Sequence, residues 1–153
     1  MSTEALDLPP MPQDYPRAGA SAAIFNGNDV LLVKRGKGIY RGAWSLPGGA
    51  VEMGETALEA AKRELQEETG LLALNLTLSD VADAIVRDSS GAAVTHYTIA
   101  VYASNRFTGT VAASADALEA CWFSAEATQS LECTPGLEAA IEKARLALEK
   151  GKG

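Results

Sequence analysis

Residues 48–71 read GGAVEMGETALEAAKRELQEETGL, and this stretch sets six glutamates (Glu52, Glu55, Glu59, Glu64, Glu67 and Glu68) against only Lys62 and Arg63. Leu58, Ala61 and Leu65 recur at helical spacing, so residues 56–69 read as a helix that Gly70 stops. Successive helical residues advance by roughly 100°. Glu67 and Glu68, at +3 and +4 from Glu64, therefore project from the same face as Glu64, while Leu65 turns toward a core. Like charges at this spacing repel by about 0.2–0.5 kcal/mol per pair. A solvated acidic face is one reading of RELQEE taken alone; a divalent cation that relieves the repulsion is the other. Carboxylate oxygens are hard ligands that suit Mg²⁺, with Mn²⁺ as the alternative, and no His or Cys lies in the stretch to favour zinc.

The chain has 153 residues, the length of one domain that buries about two thirds of its unfolded surface. Its 47% apolar and 22% charged content is that of an ordinary soluble globular protein. A net charge of −7 argues against a nonspecific grip on nucleic acid, so an anionic ligand needs a local basic patch or a bridging cation. Two cysteines, Cys121 and Cys133, are too few for a disulfide framework and read as reduced thiols. The acidic N-terminus holds four of the six prolines in residues 1–16 and resembles no targeting peptide. No run of eighteen apolar residues exists to span a membrane, and a cytoplasmic location is the expectation. The expected organisation is an irregular leader over 1–16 and a single domain over 17–150.

Outward from the acidic stretch, AGASAAIF reads as a buried strand, NGN at 26–28 as a hairpin turn and DVLLVKR as the return strand. A Gly-rich basic loop, GKGIYRGA, leads to WSLPGGAV, a short strand interrupted by Pro47 and two glycines. LSDVADAIVR and AVTHYTIAVYA read as two strands joined through DSSG, and EACWFS as another. Thr134 is expected to cap a last helix with Pro135 at its first position and Leu137, Ala140, Ile141, Ala144 and Leu148 on its buried stripe. Strands and helices mixed without regular alternation predict an α+β fold.

From Gly49 the chain runs glycine, five residues, Glu55, seven residues, then Arg63-Glu64-Leu65-Gln66-Glu67-Glu68-Thr69-Gly70-Leu71. Position for position this resembles the signature of the Nudix hydrolase family, G-x5-E-x7-R-E-U-x-E-E-x-G-U, with U aliphatic. Chance produces such a match on the order of once in 10⁹ windows. The resemblance implies an α/β/α sandwich on a mixed β-sheet. It implies Glu64, Glu67 and Glu68, with the carbonyl of Gly48, as Mg²⁺ ligands, and a non-catalytic ion pair of Glu55 with Arg63 that orients a motif carboxylate. The reaction implied is hydrolysis of a nucleoside diphosphate linked to another group, by in-line attack of water on phosphorus. The general base varies in the family, and here the candidates are Glu64 and Glu67 of the motif or Asp116 and Glu119 ahead of CWF.

Substrate signals are weaker. Lys34, Arg35, Lys37 and Arg41 are four of only thirteen basic residues and cluster before WSLPGG. In similar MutT-like proteins an arginine at the position of Arg35 faces the substrate phosphates, and Arg41 is placed with it. Trp44 and Leu46 flank the motif and pack against either a base or the core. His96, the only histidine, reads as a core residue of an apolar strand. Residues that mark subclasses of the family after the motif are missing: no proline occurs from 48 to 134, and Arg87 stands where a proline would mark an ADP-ribose pyrophosphatase. An ADP-ribose or sugar-nucleotide pyrophosphohydrolase is the leading expectation, a MutT-like (d)NTP pyrophosphohydrolase the next, and a non-catalytic nucleotide sensor the third. The expected partner is a small nucleotide, with no nucleic acid and no membrane, acting on a monomer or homodimer.

Overall fold

A computed structural model describes residues 14–112 and 117–151. The leader expected over 1–16 falls mostly outside the described residues. Gly27, at φ 60°, takes the left-handed conformation at the NGN turn and folds β1 (Arg17–Asn26) back onto β2 (Asp29–Arg35). The two strands pair only at this hairpin end, Phe25 with Val30 and Asn26 with Asp29, and then diverge. Beyond the fork β2 pairs with β3 (Trp44–Ser45), and β1 with β4 (Gly48–Ala50). The interruption read at Pro47 is this fork: buried Pro47 separates the two short strands, and its carbonyl accepts from the Ala22 amide at 3.0 Å.

The other edge of β1 runs parallel to β7 (Ala93–Ser104), which pairs antiparallel with β6 (Thr77–Arg87); β9 (Ala117–Ser124) lines the outer edge of β2. The result is a seven-stranded mixed sheet. A separate ribbon pairs β5 (Leu72–Leu74) with β8 (Arg106–Thr108). Three-residue strands carry too little periodicity to be read locally, and neither was expected.

Helix α1 (Ala57–Thr69) covers one face of the sheet and α3 (Leu137–Lys150) the other, while the single turn α2 (Ala125–Thr128) follows β9. This is the α/β/α sandwich. Alternation along the strands fills both layers. Ala22, Ile24 and Leu31 meet Leu65 and Leu71 on the α1 side; Ala23, Phe25, Val30 and Leu32 meet Leu137, Ile141 and Ala144 on the α3 side. Small side chains at Ala20, Ala60 and Ala61 bring α1 close to β1. Among the described residues no helix is long and apolar enough to cross a membrane.

The start of α3 differs from expectation. Gly136, at φ 81°, precedes the first helical residue and no side chain caps it. Thr134 and Pro135 lie before the helix because residues 132–134 are held elsewhere: the Trp44 amide donates to the Glu132 carbonyl at 2.8 Å, and the Thr134 amide to the Trp44 carbonyl at 3.0 Å.

Candidate active site

Helix α1 begins with a reciprocal capping box. The Glu59 amide donates to Thr56 Oγ1 and the Thr56 amide to Glu59 Oε1, each at 3.1 Å. It ends at Gly70, which takes φ 80°. No basic residue occupies the last turn, so Glu64, Glu67 and Glu68 sit toward the negative end of the helix dipole as well as beside one another. Local helix energetics oppose this placement, and the neighbouring groups that compensate form the site.

The first compensating group is Arg63. Its Nε donates to Glu55 Oε2 at 2.7 Å and its Nη2 to Glu55 Oε1 at 3.0 Å, a bidentate pair. Nη1 donates to Glu64 Oε1 at 2.7 Å and to Glu67 Oε2 at 3.2 Å, and Nη2 also reaches the Ala50 carbonyl at 3.0 Å. Glu52 stands 3.8 Å from Nη1. The Arg63 hydrogen bonds, helped by the Glu52 amide, hold the Glu55 carboxyl below the usual range; those with Glu55 and then Glu64 push Arg63 further up. Arg63 thus links Glu55 with two glutamates of the helix and with β4. Ala50 contributes through its carbonyl, a contact that no side-chain pattern signals.

The second is the glycine pair of β4. The Gly48 amide donates to Glu68 Oε2 at 2.9 Å. A Cβ on Gly49 would lie 2.7 Å from the Glu64 carboxyl, so glycine there lets the carboxylate close onto the strand. Gly48, Glu64, Glu67 and Glu68 are thus brought to one place. Among the described residues no three His, Cys, Asp or Glu side chains close into a ready cation cage, and Arg63 lies between two of the glutamates. The oxygens of these groups are hard donors of the class that suits Mg²⁺ or Mn²⁺, and Gly49 leaves the room that the Glu64 carboxyl occupies.

The basic residues separate. Alternation sends Lys34 and Arg35 to opposite faces of β2. Arg35 shares the face of Leu31, which packs on Leu65 of α1, so it lies on the side of the acidic helix. Its Nε is buried with no hydrogen-bond partner. Its backbone closes the neck of the 36–42 loop, accepting from the Gly42 amide at 2.8 Å and donating to the Ala43 carbonyl at 2.9 Å. Arg41 is exposed on that loop.

Other expected site residues stand elsewhere. Glu119, expected on a loop, lies in β9 opposite Lys34 and pairs with it at 3.5 Å, because β9 follows β2 along its length. Asp116 lies outside the described residues. Trp44 and Leu46 are each 8% exposed in the α3-side core, where Trp44 meets Phe123 edge-on at 4.7 Å; the structure gives them core packing in place of a base platform. His96 is a correction in the opposite sense: it lies outside the core, half-exposed, with Nε2 3.4 Å from Asp83 Oδ1.

Residues 15–143 match the family model described as NUDIX domain. An ADP-ribose pyrophosphatase from Methanocaldococcus jannaschii is 37% identical over 109 residues, which cover 71% of this chain and 62% of that protein. The chain therefore spans less than two thirds of that relative. An uncharacterized Nudix hydrolase from Bacillus subtilis, YvcI, is 29% identical over 122 residues, 80% of this chain and 75% of that one. A solved structure of a MutT NUDIX hydrolase from Burkholderia pseudomallei matches with a TM-score of 0.76 at 30% identity, covering 85% of this chain and 98% of the other.

Proposed function

The chain belongs to the Nudix family, and on that premise we propose that it is a Mg²⁺-dependent pyrophosphohydrolase. Its substrate is a nucleoside diphosphate linked to another group, of the ADP-ribose or sugar-nucleotide type. The observation that carries this reading is the Arg63-organised carboxylate cluster seated against Gly48 and Gly49. The 37% identity to the archaeal ADP-ribose pyrophosphatase supports the substrate class.

Glu64, Glu67 and Glu68, with the Gly48 carbonyl, are the groups that would hold Mg²⁺ or Mn²⁺. Bound there, the cation supplies charge neutralisation and Lewis acidity at the diphosphate. Arg63 fixes the Glu64 carboxylate through its 2.7 Å bond and holds Glu67 more loosely at 3.2 Å. Glu67, with 57% of its side chain exposed against 17% for Glu64, is the better placed to take a proton from the attacking water at a carboxylate oxygen. Glu119, bound in its pair with Lys34, is less suited to that role. Arg35, on the same face of β2 as Leu31, supplies a guanidinium charge for the substrate phosphates, and exposed Arg41 a further positive charge.

The likeness to the MutT structure keeps a (d)NTP pyrophosphohydrolase as the second reading. Phosphate release should be measured on a panel of ADP-ribose, sugar nucleotides and (d)NTPs, with Mg²⁺ and with EDTA. EDTA-sensitive cleavage of ADP-ribose or a sugar nucleotide is the expected result. Preference for a triphosphate would select the second reading. Nucleotide binding without turnover across the panel would replace both with a sensor.

A further inference from the structure

We propose that Ser45 is a positioning residue for Arg35: its hydroxyl takes up the Arg35 Nε–H through one internal water and so turns the Nη edge of the guanidinium outward, toward the substrate phosphates, a role that rests on the one proposed above for Arg35. Among the described residues, Arg35 Nε and Ser45 Oγ are the buried side-chain polar atoms without a hydrogen-bond partner in the protein. Buried polar groups are bonded in the large majority of cases, so each of the two calls for a partner. They lie on one face of the sheet. Val33 stands opposite Ser45 in the antiparallel pairing of β2 with β3, and Arg35 is two residues on from Val33. Ser45 and Arg35 are therefore diagonal neighbours across the two strands, roughly 7–8 Å apart, within the reach of a long side chain.

The side chains paired with them across the strands are apolar. Ser45 faces Val33, and Val33 faces Ala120; Arg35 stands against Ala117 of β9 and, through its amide, against Ala43. Ser45 is 7% exposed and Ala43 and Ala117 are each 4% exposed, so bulk solvent does not serve this patch. The chemistry of the two groups fixes the direction of the bond. A guanidinium only donates, whereas a hydroxyl both donates and accepts. No direct bond joins them. A water between them accepts from Nε–H and bonds Oγ, as buried waters do between otherwise unsatisfied groups. With Nε held inward, the Nη edge faces out beside the 36–42 loop, where a Cβ built at Gly38 would stand 4.0 Å from Nη2. Ser45 itself lies three residues before Gly48, whose amide binds Glu68, so the anchor of Arg35 and the carboxylates share one fork of the sheet.

Two measurements on the full chain test this, with circular dichroism showing that each variant is folded. In ¹H–¹⁵N spectra the Arg35 Nε–H signal, identified by its loss in Arg35→Lys, is expected to shift and to exchange faster with solvent in Ser45→Ala, while that of Arg63, whose Nε is bonded to Glu55, stays unchanged. An Arg35 signal indifferent to Ser45→Ala overturns the proposal, whatever the activity. On the substrate selected by the panel, Ser45→Ala should lower kcat/KM by about tenfold, the order of losing one hydrogen bond to a charged group. The same substitution in an Arg35→Ala background should cost nothing further. An equal loss in both backgrounds overturns the proposal, because Ser45 would then act without Arg35. A coupled Arg35 signal in a wild type that turns over no substrate would support the pairing and refute the hydrolase reading instead.

Discussion

A Cβ added at Gly48 would lie 2.5 Å from the Ala20 carbonyl oxygen and from Ser21 Oγ, whereas one added at Gly49 would meet the Glu64 carboxyl first, at 2.7 Å. The first obstacle is largely backbone inside the sheet, and the second is the end of a side chain. Gly48→Ala should therefore lower stability by about 1–3 kcal/mol, the usual magnitude for overpacking. Gly49→Ala should leave the fold nearly intact and displace Glu64, so that turnover falls more than stability does. Denaturant melts beside steady-state rates separate the two; equal stability losses would refute the distinction. Glu67→Gln should reduce kcat by about 10²–10⁴-fold, the range for loss of a general base. Glu68→Gln should lose activity through the cation alone, whereas Glu67→Gln loses both the base and a cation ligand. Both variants should fold, relief of like-charge repulsion, about 0.2–0.5 kcal/mol per pair, offsetting part of the weakened contacts to Arg63 and the Gly48 amide. Turnover like the wild type in both would remove these glutamates from the site.

Among the elements, α1 was the most legible, because its start and stop are chemically local. The capping box of Thr56 with Glu59 and the left-handed Gly70 are each made by residues within one turn. The turn between β6 and β7 is local too. Asp88 Oδ1 accepts from the amides of Ser90 and Ala92 at 2.9 and 3.1 Å and from the Ser90 hydroxyl. These bonds, led by Ser90, hold the Asp88 carboxyl below its ordinary range. A carboxylate with a depressed folded pKa adds stability above its unfolded value of about 3.9, and this is lost as pH falls through the folded value. Asp88→Ala should thus melt below the wild type at neutral pH, and the two curves should converge in acid. A gap that stays constant across the acid range would mean that the Asp88 charge does not hold the turn. By contrast the start of α3 misled local reasoning. Trp44, ninety positions upstream of Thr134, takes up the backbone of residues 132–134 and moves the helix start to Leu137.

For the whole molecule, the fork between β1 and β2 decides what faces the acidic helix. It turns Gly48 and Gly49 toward α1 while sending Trp44 and Leu46 into the opposite core. If the carboxylates hold a cation in the native state alone, Mg²⁺ must stabilise the protein by mass action, by about 2.7 kcal/mol at a hundredfold excess over Kd. Thermal melts with Mg²⁺ and with EDTA should show a higher Tm with the cation, and Glu68→Gln should shrink the shift. An unchanged Tm in wild type at saturating Mg²⁺ would count against the assignment.

The sequence by itself determined the acidic helix, its caps, the NGN hairpin and the family, because those depend on residue spacing and on contacts within a few positions. Tertiary structure alone decided that Arg63 also grips the Ala50 carbonyl, that Glu119 is bound in a strand, that His96 stands outside the core beside Asp83, and that Arg35 shares the face of the acidic helix while Lys34 does not. Each of these depends on which strand lies beside which and in what register, and a shift of one residue exchanges the faces of a strand without altering a single letter of its sequence.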